Sequence, residues 1–366
     1  MIYVLYGIVI LINLVANTRK KSNTIILLLS IGVLSLIWTG NIVGPDIENY
    51  ISQYNYPMAR LTNGGIEIIY NYLLYFFSSR GVDFYVFRYI ISFAGLAVIF
   101  LSMGKIETKT HMLLVLYALS QFFLDGIQIR NFLALPFFIL AIITLIKGER
   151  HWKIKYVCFV LLATLIHVSF LIYFIFLLIP EKDLKNRRMI KIHGLVSVIL
   201  CMVFFFGKQY LGIIVKLISS IDLSRATSYS QVATNMGSLI CILLQFAGIG
   251  VSYYNYWKVK RHNSIYGNMD CLEGRLYRIL WINFLAIYLL PFSMIQLTFY
   301  RLIRNLVLFN FSSSIIAIRY YPRKYRYKFW AVLIVYLLLW QVCEFHVLNQ
   351  YEVIVEPFFV FNKYIS

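Results

Sequence analysis

Two short motifs carry the residue types that polar group transfer needs. Gln128-Ile129-Arg130-Asn131 sets a guanidinium at a tight turn between two apolar runs, with Asp125 just upstream. Ala163-Thr164-Leu165-Ile166-His167-Val168-Ser169 sets an imidazole inside another apolar run. A guanidinium is always charged and its fork matches phosphate and carboxylate oxygens. Arginines that converge from several helices therefore make an oxyanion or pyrophosphate clamp. Arg301 and Arg304 supply more of them, at a spacing that shares one helix face. The competing reading is a structural pair between an arginine and an acid such as Glu67 or Asp125. An imidazole titrates near neutrality and serves as general base or acid when a carboxylate is near. Without one it is a satisfied structural group.

The acids offer less specific chemistry. Asp46-Ile47-Glu48 has the spacing to chelate a divalent ion on a glycosyl pyrophosphate, or to be a solvated turn after Gly44-Pro45. Glu67 opens a short apolar helix, where it is either a reacting carboxylate or a partner for the helix dipole. Arg80 lies in the polar stretch Ser78-Ser79-Arg80-Gly81. Tyr50 and the tyrosines that follow it read as an interfacial aromatic belt, some of them able to stack on sugar rings.

The elements that hold these groups are apolar helices. Of 366 residues, 61% are apolar and 13% charged, and the mean hydropathy is +0.75. Soluble globular chains carry about 25% charged residues, so both a water-soluble enzyme and a disordered chain are excluded. Apolar runs fall near 3–17, 24–40, 84–103, 111–124, 131–146, 154–180, 192–211, 236–256, 276–296, 302–318 and 329–347. A crossing takes about 20 residues, so the shorter run 66–78 suits a re-entrant or interfacial helix. The expected fold is all-α and polytopic, one membrane domain over 1–366.

The net charge of +19, from 34 Lys+Arg against 15 Asp+Glu, then reads as topology rather than nucleic-acid binding. Taking 154–180 as one crossing puts the basic loops 181–191 and 319–328 outside, against the positive-inside tendency. Breaking that run near His167 removes the conflict. It gives about 12 crossings and puts about two thirds of the basic residues inside, with both termini outside. The long outer loops are then about 41–83 and 212–235, and the candidate groups collect on the outer side. Ionisable groups in such places are functional by default.

Several chemistries are missing from the chain. It has no GxxxxGK[ST] loop, GxGxxG turn, HExxH pair or GxSxG elbow. Five scattered cysteines without CxxC spacing suggest neither a disulfide framework nor a zinc site. No resident metal or cofactor is expected.

The order of motifs resembles a known family. Pro45-Asp46-x-x-x-Tyr50 is followed by Gly65-Ile66-Glu67, Gln128-Ile129-Arg130-Asn131-x-x-Ala134, Ala163-Thr164-x-x-His167-x-Ser169, Tyr300-Arg301 and Ile354-x-x-Pro357-Phe358. Over about 40–360 this resembles the Wzy-type polysaccharide polymerases, in particular the EpsG-like branch of exopolysaccharide and capsule synthesis. This chain has Asn131, Val168 and Phe358 where members often have Gln, Lys and Tyr.

The resemblance implies joining of oligosaccharide repeat units carried on undecaprenyl pyrophosphate, at the outer face of the cytoplasmic membrane. By that reading Arg130 and Arg301 bind pyrophosphate, with Arg304 or Arg80 in support. His167 is the first candidate for general base and Glu67 the second. Asp46, Glu48, Tyr50 and Gln128 face the sugars. A chain-length regulator and a flippase are the further partners implied, beside the lipid bilayer. Two rivals share the many spans. One is a GT-C-type glycosyltransferase with a polyprenyl-phosphate donor, which would use Asp46 and Glu48. The other is a flippase for the same glycolipid, which would place its polar groups at the midplane and often repeat its architecture.

Overall fold

The computed structural model describes residues 1–18, 23–44, 46–62, 66–106, 109–180, 235–266, 270–295, 297–348 and 351–364, with isolated positions between 195 and 202. Among these residues the structure is helical, and the β-type pairing is a single bridge between Asn41 and Asn362. The run 192–211 and the loop 212–234 fall outside the described residues. Among the described residues six helices are long and apolar enough to cross a membrane, and five further apolar helices have 10–17 residues. The chain divides into two compact units, Met1–Tyr173 with Leu337–Ser366, and Phe174–Tyr336.

The first unit begins with α1 (Ile2–Thr18) and α2 (Thr24–Gly40). The Asn23 side chain caps α2 by accepting from the N–H groups of Ile25 and Ile26. The expected outer loop is itself helical, folding into α3 (Ile47–Asn55), α4 (Pro57–Thr62) and α5 (Ile68–Ser78). Next, α6 (Phe84–Met103) starts where Asp83 accepts from the N–H groups of Tyr85 and Val86. The apolar run 111–124 is not continuous: α7 (Thr110–Ser120) and α8 (Phe122–Ile127) meet at Gln121.

A helical hairpin follows. α9 (Ile129–Lys147) ends on Gly148, whose φ of 60° supplies the left-handed C-cap. The chain returns as α10 (Trp152–Ile166), which stops at His167 in an extended conformation. A 3₁₀ helix, Val168–Leu178, continues from there. The break deduced from charge balance is therefore a real interruption of the helix, at the same residue. Because α9 and α10 are antiparallel neighbours, the start of α9 lies beside the end of α10. That places Arg130 near His167.

Buried polar groups fix the packing of this unit. Arg88 is buried on α6 and donates to the carbonyls of Asn41 and Gly126, both at 2.8 Å. It thus satisfies backbone at the ends of α2 and α8 rather than facing a ligand. The tail returns to the same place, where Ile42 N–H donates to Phe361 and Lys363 N–H to Gly40. Phe358 of the short helix α11 (Pro357–Val360), the last in the chain, packs edge-on against Phe123.

The second unit is built on three helices that share a polar seam: Asn235–Tyr266, Asp270–Ala286 and Val307–Tyr320. Asn310 sits at its centre. Its carbonyl oxygen accepts from Asn283 Nδ2 at 2.7 Å and from Ser252 at 3.2 Å, and its amide donates to Tyr336 at 2.9 Å. Gly248 makes this approach feasible, since a Cβ there would fall 2.6 Å from Asn310 Nδ2. Neutral side-chain bonds between apolar helices contribute about 0.6–2 kcal/mol each. Asn310→Ala removes three partners at once and is expected to destabilise this unit by about 1–3 kcal/mol. Thermal melting in detergent measures that loss, and an unchanged midpoint would dismiss the seam as a stabilising feature.

Candidate active site

Three candidates from distant parts of the chain meet on one carboxylate. Glu67 Oε1 lies 2.6 Å from His167 Nδ1, and Glu67 Oε2 accepts from Arg130 Nη1 at 3.0 Å. The pairs are separated by 100 and 63 positions. The Val168 N–H also points at Glu67 Oε1, at 3.4 Å. Glu67 and His167 are 5% and 1% exposed, while the Arg130 side chain keeps 17% of its surface.

Each residue stands at a helix end or a helix break, where the backbone no longer dictates the side-chain direction. Glu67 occupies the N-cap position of α5 but makes no side-chain cap bond. Its oxygens are bonded to His167 and Arg130 instead. Arg130 is in the first turn of α9, next to the non-helical Gln128. His167 has left the α10 ladder, although its N–H still donates to Ala163 at 2.8 Å.

An ionic cluster this buried costs desolvation energy and persists only when its members satisfy one another. Glu67 does so by giving one oxygen to each partner. The consequence for His167 follows from hydrogen-bond direction. In the neutral imidazole Nδ1–H donates to the carboxylate, and the lone pair is then on Nε2. This is the tautomer that a carboxylate imposes on a catalytic imidazole. On the other side, a guanidinium has five N–H donors. Glu67 engages Nη1 and Tyr50 takes a further hydrogen bond, and the guanidinium keeps 17% of the side chain's surface open, from which its other donors can meet an anion.

Aromatic rings hold Arg130 in place. The Tyr50 and Tyr70 rings each lie 5.9 Å from the guanidinium carbon. Tyr70 also donates to Gln53 Oε1 on α3 at 3.3 Å, and Tyr54 on α3 donates to the Val82 carbonyl at 2.7 Å. The first bond ties α3 to α5, and the second ties it to the segment between α5 and α6. The role of Tyr70 is hidden among the many tyrosines of the sequence. Its spacing of three from Glu67 is the signal that puts both on one side of a helix start.

Tyr50 is buried against Arg130, whereas Asp46 and Glu48 are exposed on α3 and Gln128 is half-buried. Arg80 is exposed and folds back on its own helix, its guanidinium 3.6 Å from the Phe76 ring centre and donating to the Phe76 carbonyl at 2.9 Å. Arg301 and Arg304 belong to the second unit, on a short helix Arg301–Arg304 in which Arg304 is buried. Among the described residues no group of three or more His, Cys, Asp and Glu is arranged to hold a metal ion.

A helical, multi-pass membrane protein with a buried carboxylate, imidazole and guanidinium on helix ends is the class that fold and site define. Within that class the chain belongs to the EpsG family, which matches residues 24–355. Membership brings a general role in exopolysaccharide synthesis, as a polymerase. No curated protein and no solved structure matches the chain.

Proposed function

We propose that this chain polymerises oligosaccharide repeat units carried on undecaprenyl pyrophosphate, acting at the outer face of the bacterial cytoplasmic membrane. The observation that carries the proposal is the shared carboxylate: Glu67 joins a candidate base, His167, to a candidate anion-binding group, Arg130. The reaction needs both. An acceptor hydroxyl oxygen forms a bond to the anomeric carbon of the growing chain. The bond from that carbon to the pyrophosphate oxygen breaks, and its electron pair leaves with undecaprenyl pyrophosphate. The hydroxyl proton passes to His167 Nε2. Glu67 holds the imidazole in the accepting tautomer and stabilises the imidazolium that forms. Arg130 offers its remaining donors to the charge that develops on the leaving oxygen.

Arg301, Arg304 and Arg80 remain proposed supports for the pyrophosphate. Asp46, Glu48 and Gln128 are proposed to meet the sugars, with Tyr50 holding the Arg130 side chain at their edge. The polymer can be a capsule or a secreted exopolysaccharide.

Arg130→Ala tests the leaving-group role. It is expected to lower polymer synthesis about 10²-fold or more, so that single repeat units accumulate on the lipid in a strain lacking the wild-type copy. Arg130→Lys keeps the charge but loses the fork geometry, and should recover only part of the activity. A normal ladder of chain lengths from the Ala variant, present at normal level in the membrane, would refute the role.

A further inference from the structure

Helices α3 and α5 pack together and show opposite chemistry to the surroundings. The buried face of α3 carries Ile47, Tyr50 and Tyr54, and its exposed face carries Glu48, Asn49 and Ser52. The face of α5 toward the protein carries Tyr70, Asn71 and Leu74. Its other face is apolar: Ile68, Tyr72, Tyr75 and Phe76 follow the i, i+4, i+7, i+8 stripe and are 40–59% exposed. At 11 residues α5 is about 16 Å long, too short to cross a hydrocarbon core of about 30 Å.

The apolar stripe begins where the active cluster is. Ile66 and Ile68, the neighbours of Glu67 in the chain, are 46% and 49% exposed, while Glu67 itself is buried. The carboxylate is therefore flanked in the chain, on both sides, by exposed apolar residues. On α3 a polar surface borders the same cluster through Tyr50. An amphiphile made of oligosaccharide, pyrophosphate and polyprenyl has this sequence of chemistries: polar, anionic, apolar. Arg130 marks the anionic position between the two helix faces.

We propose that the exposed face of α5 is the binding track for the isoprenoid tail of the lipid-linked substrate, leading it to Arg130 and Glu67. This rests on the polymerase reading and adds the place of the lipid. It separates α5 from bulk lipid-facing helices, because its apolar face starts beside the cluster where Arg130 can hold an anionic headgroup, and a pyrophosphate carries more charge there than a phospholipid's phosphate.

Two measurements on the full-length protein in lipid nanodiscs test the track. The first compares a repeat-unit substrate on a long polyprenyl pyrophosphate with the same unit on a short, water-soluble prenyl chain. Tyr72→Gln and Tyr75→Gln are exposed substitutions on this stripe. They are expected to raise KM for the long-tailed substrate about tenfold, with kcat unchanged and KM for the short-tailed substrate unchanged. Unaltered KM values, or equal rises for both substrates, would overturn the track. The second places a photo-crosslinking residue at Tyr72 and presents a long-chain polyprenyl pyrophosphate beside phospholipid. Polyprenyl adducts that fall away in Arg130→Ala support the track, and adducts to phospholipid alone overturn it. Crosslinking needs no turnover. Wild-type protein inactive on both substrates would sink the polymerase reading, and the crosslink would still decide where the tail lies.

Discussion

Glu67→Gln is expected to be the most damaging single substitution in the protein. The carboxylate serves two donors, His167 Nδ1–H and Arg130 Nη1–H, through its two oxygens. An amide of the same shape offers one oxygen and one NH₂ group, so either a donor faces a donor or the imidazole changes tautomer to accept at Nδ1, which moves its proton to Nε2 and removes the base. Arg130 would also keep its charge while losing its counter-ion. Removing one partner of a buried pair costs about 3–5 kcal/mol, and the imidazole loses the group that fixes its tautomer. Polymer synthesis should fall about 10⁴-fold, at the upper end for general-base function, and thermal stability in detergent should fall with it. Glu67→Asp keeps the charge but is one methylene shorter, so it should hold the fold better than it restores the rate. Wild-type ladders and an unchanged melting midpoint in Glu67→Gln would remove this carboxylate from the mechanism.

His167→Ala should separate chemistry from folding. It leaves the Arg130–Glu67 pair intact, and the protein should still accumulate in the membrane. The rate should fall about 10²–10⁴-fold. Protonation of Nε2 blocks a base, so the wild-type rate should drop as the medium is made more acid. The residual activity of the Ala variant should lack that acidic limb. A variant that retains both its activity and the limb would make Glu67 the base instead. Combining the two substitutions should give much less than the product of the single effects, because the groups act as one unit.

The three residues of the cluster were each visible in the sequence as chemistry without a partner. Composition and run length were enough to define an all-helical membrane chain. A helix of apolar residues satisfies its own backbone, so its existence depends on local sequence alone. The short helix at Ile68–Ser78 and the break at His167 were legible for related reasons. One follows from run length, the other from the side of the membrane on which basic loops settle. The internal breaks at Gln121 and Asn305 were not legible, because the hydropathy of runs 111–124 and 302–318 is continuous across them. Beside the first break a distant side chain bonds to the backbone. Trp38 Nε1 donates to the Phe122 carbonyl at 2.8 Å, just past that break.

The site divides in the same way. The sequence by itself determined which groups can do acid, base and anion chemistry, and that the family's Gln-x-Arg and His-x-Ser positions are filled by Arg130 and His167. It left Glu67 as either a dipole partner or a reacting carboxylate, and left Tyr50 and Tyr70 among many interfacial rings. Only the tertiary structure decided that Glu67 stands between His167 and Arg130, and that both tyrosines hold the guanidinium. The physical reason is that residue type is a local property. The pairing of charges 63 and 100 positions apart depends on how α5, α9 and α10 pack, which no periodicity in the chain records.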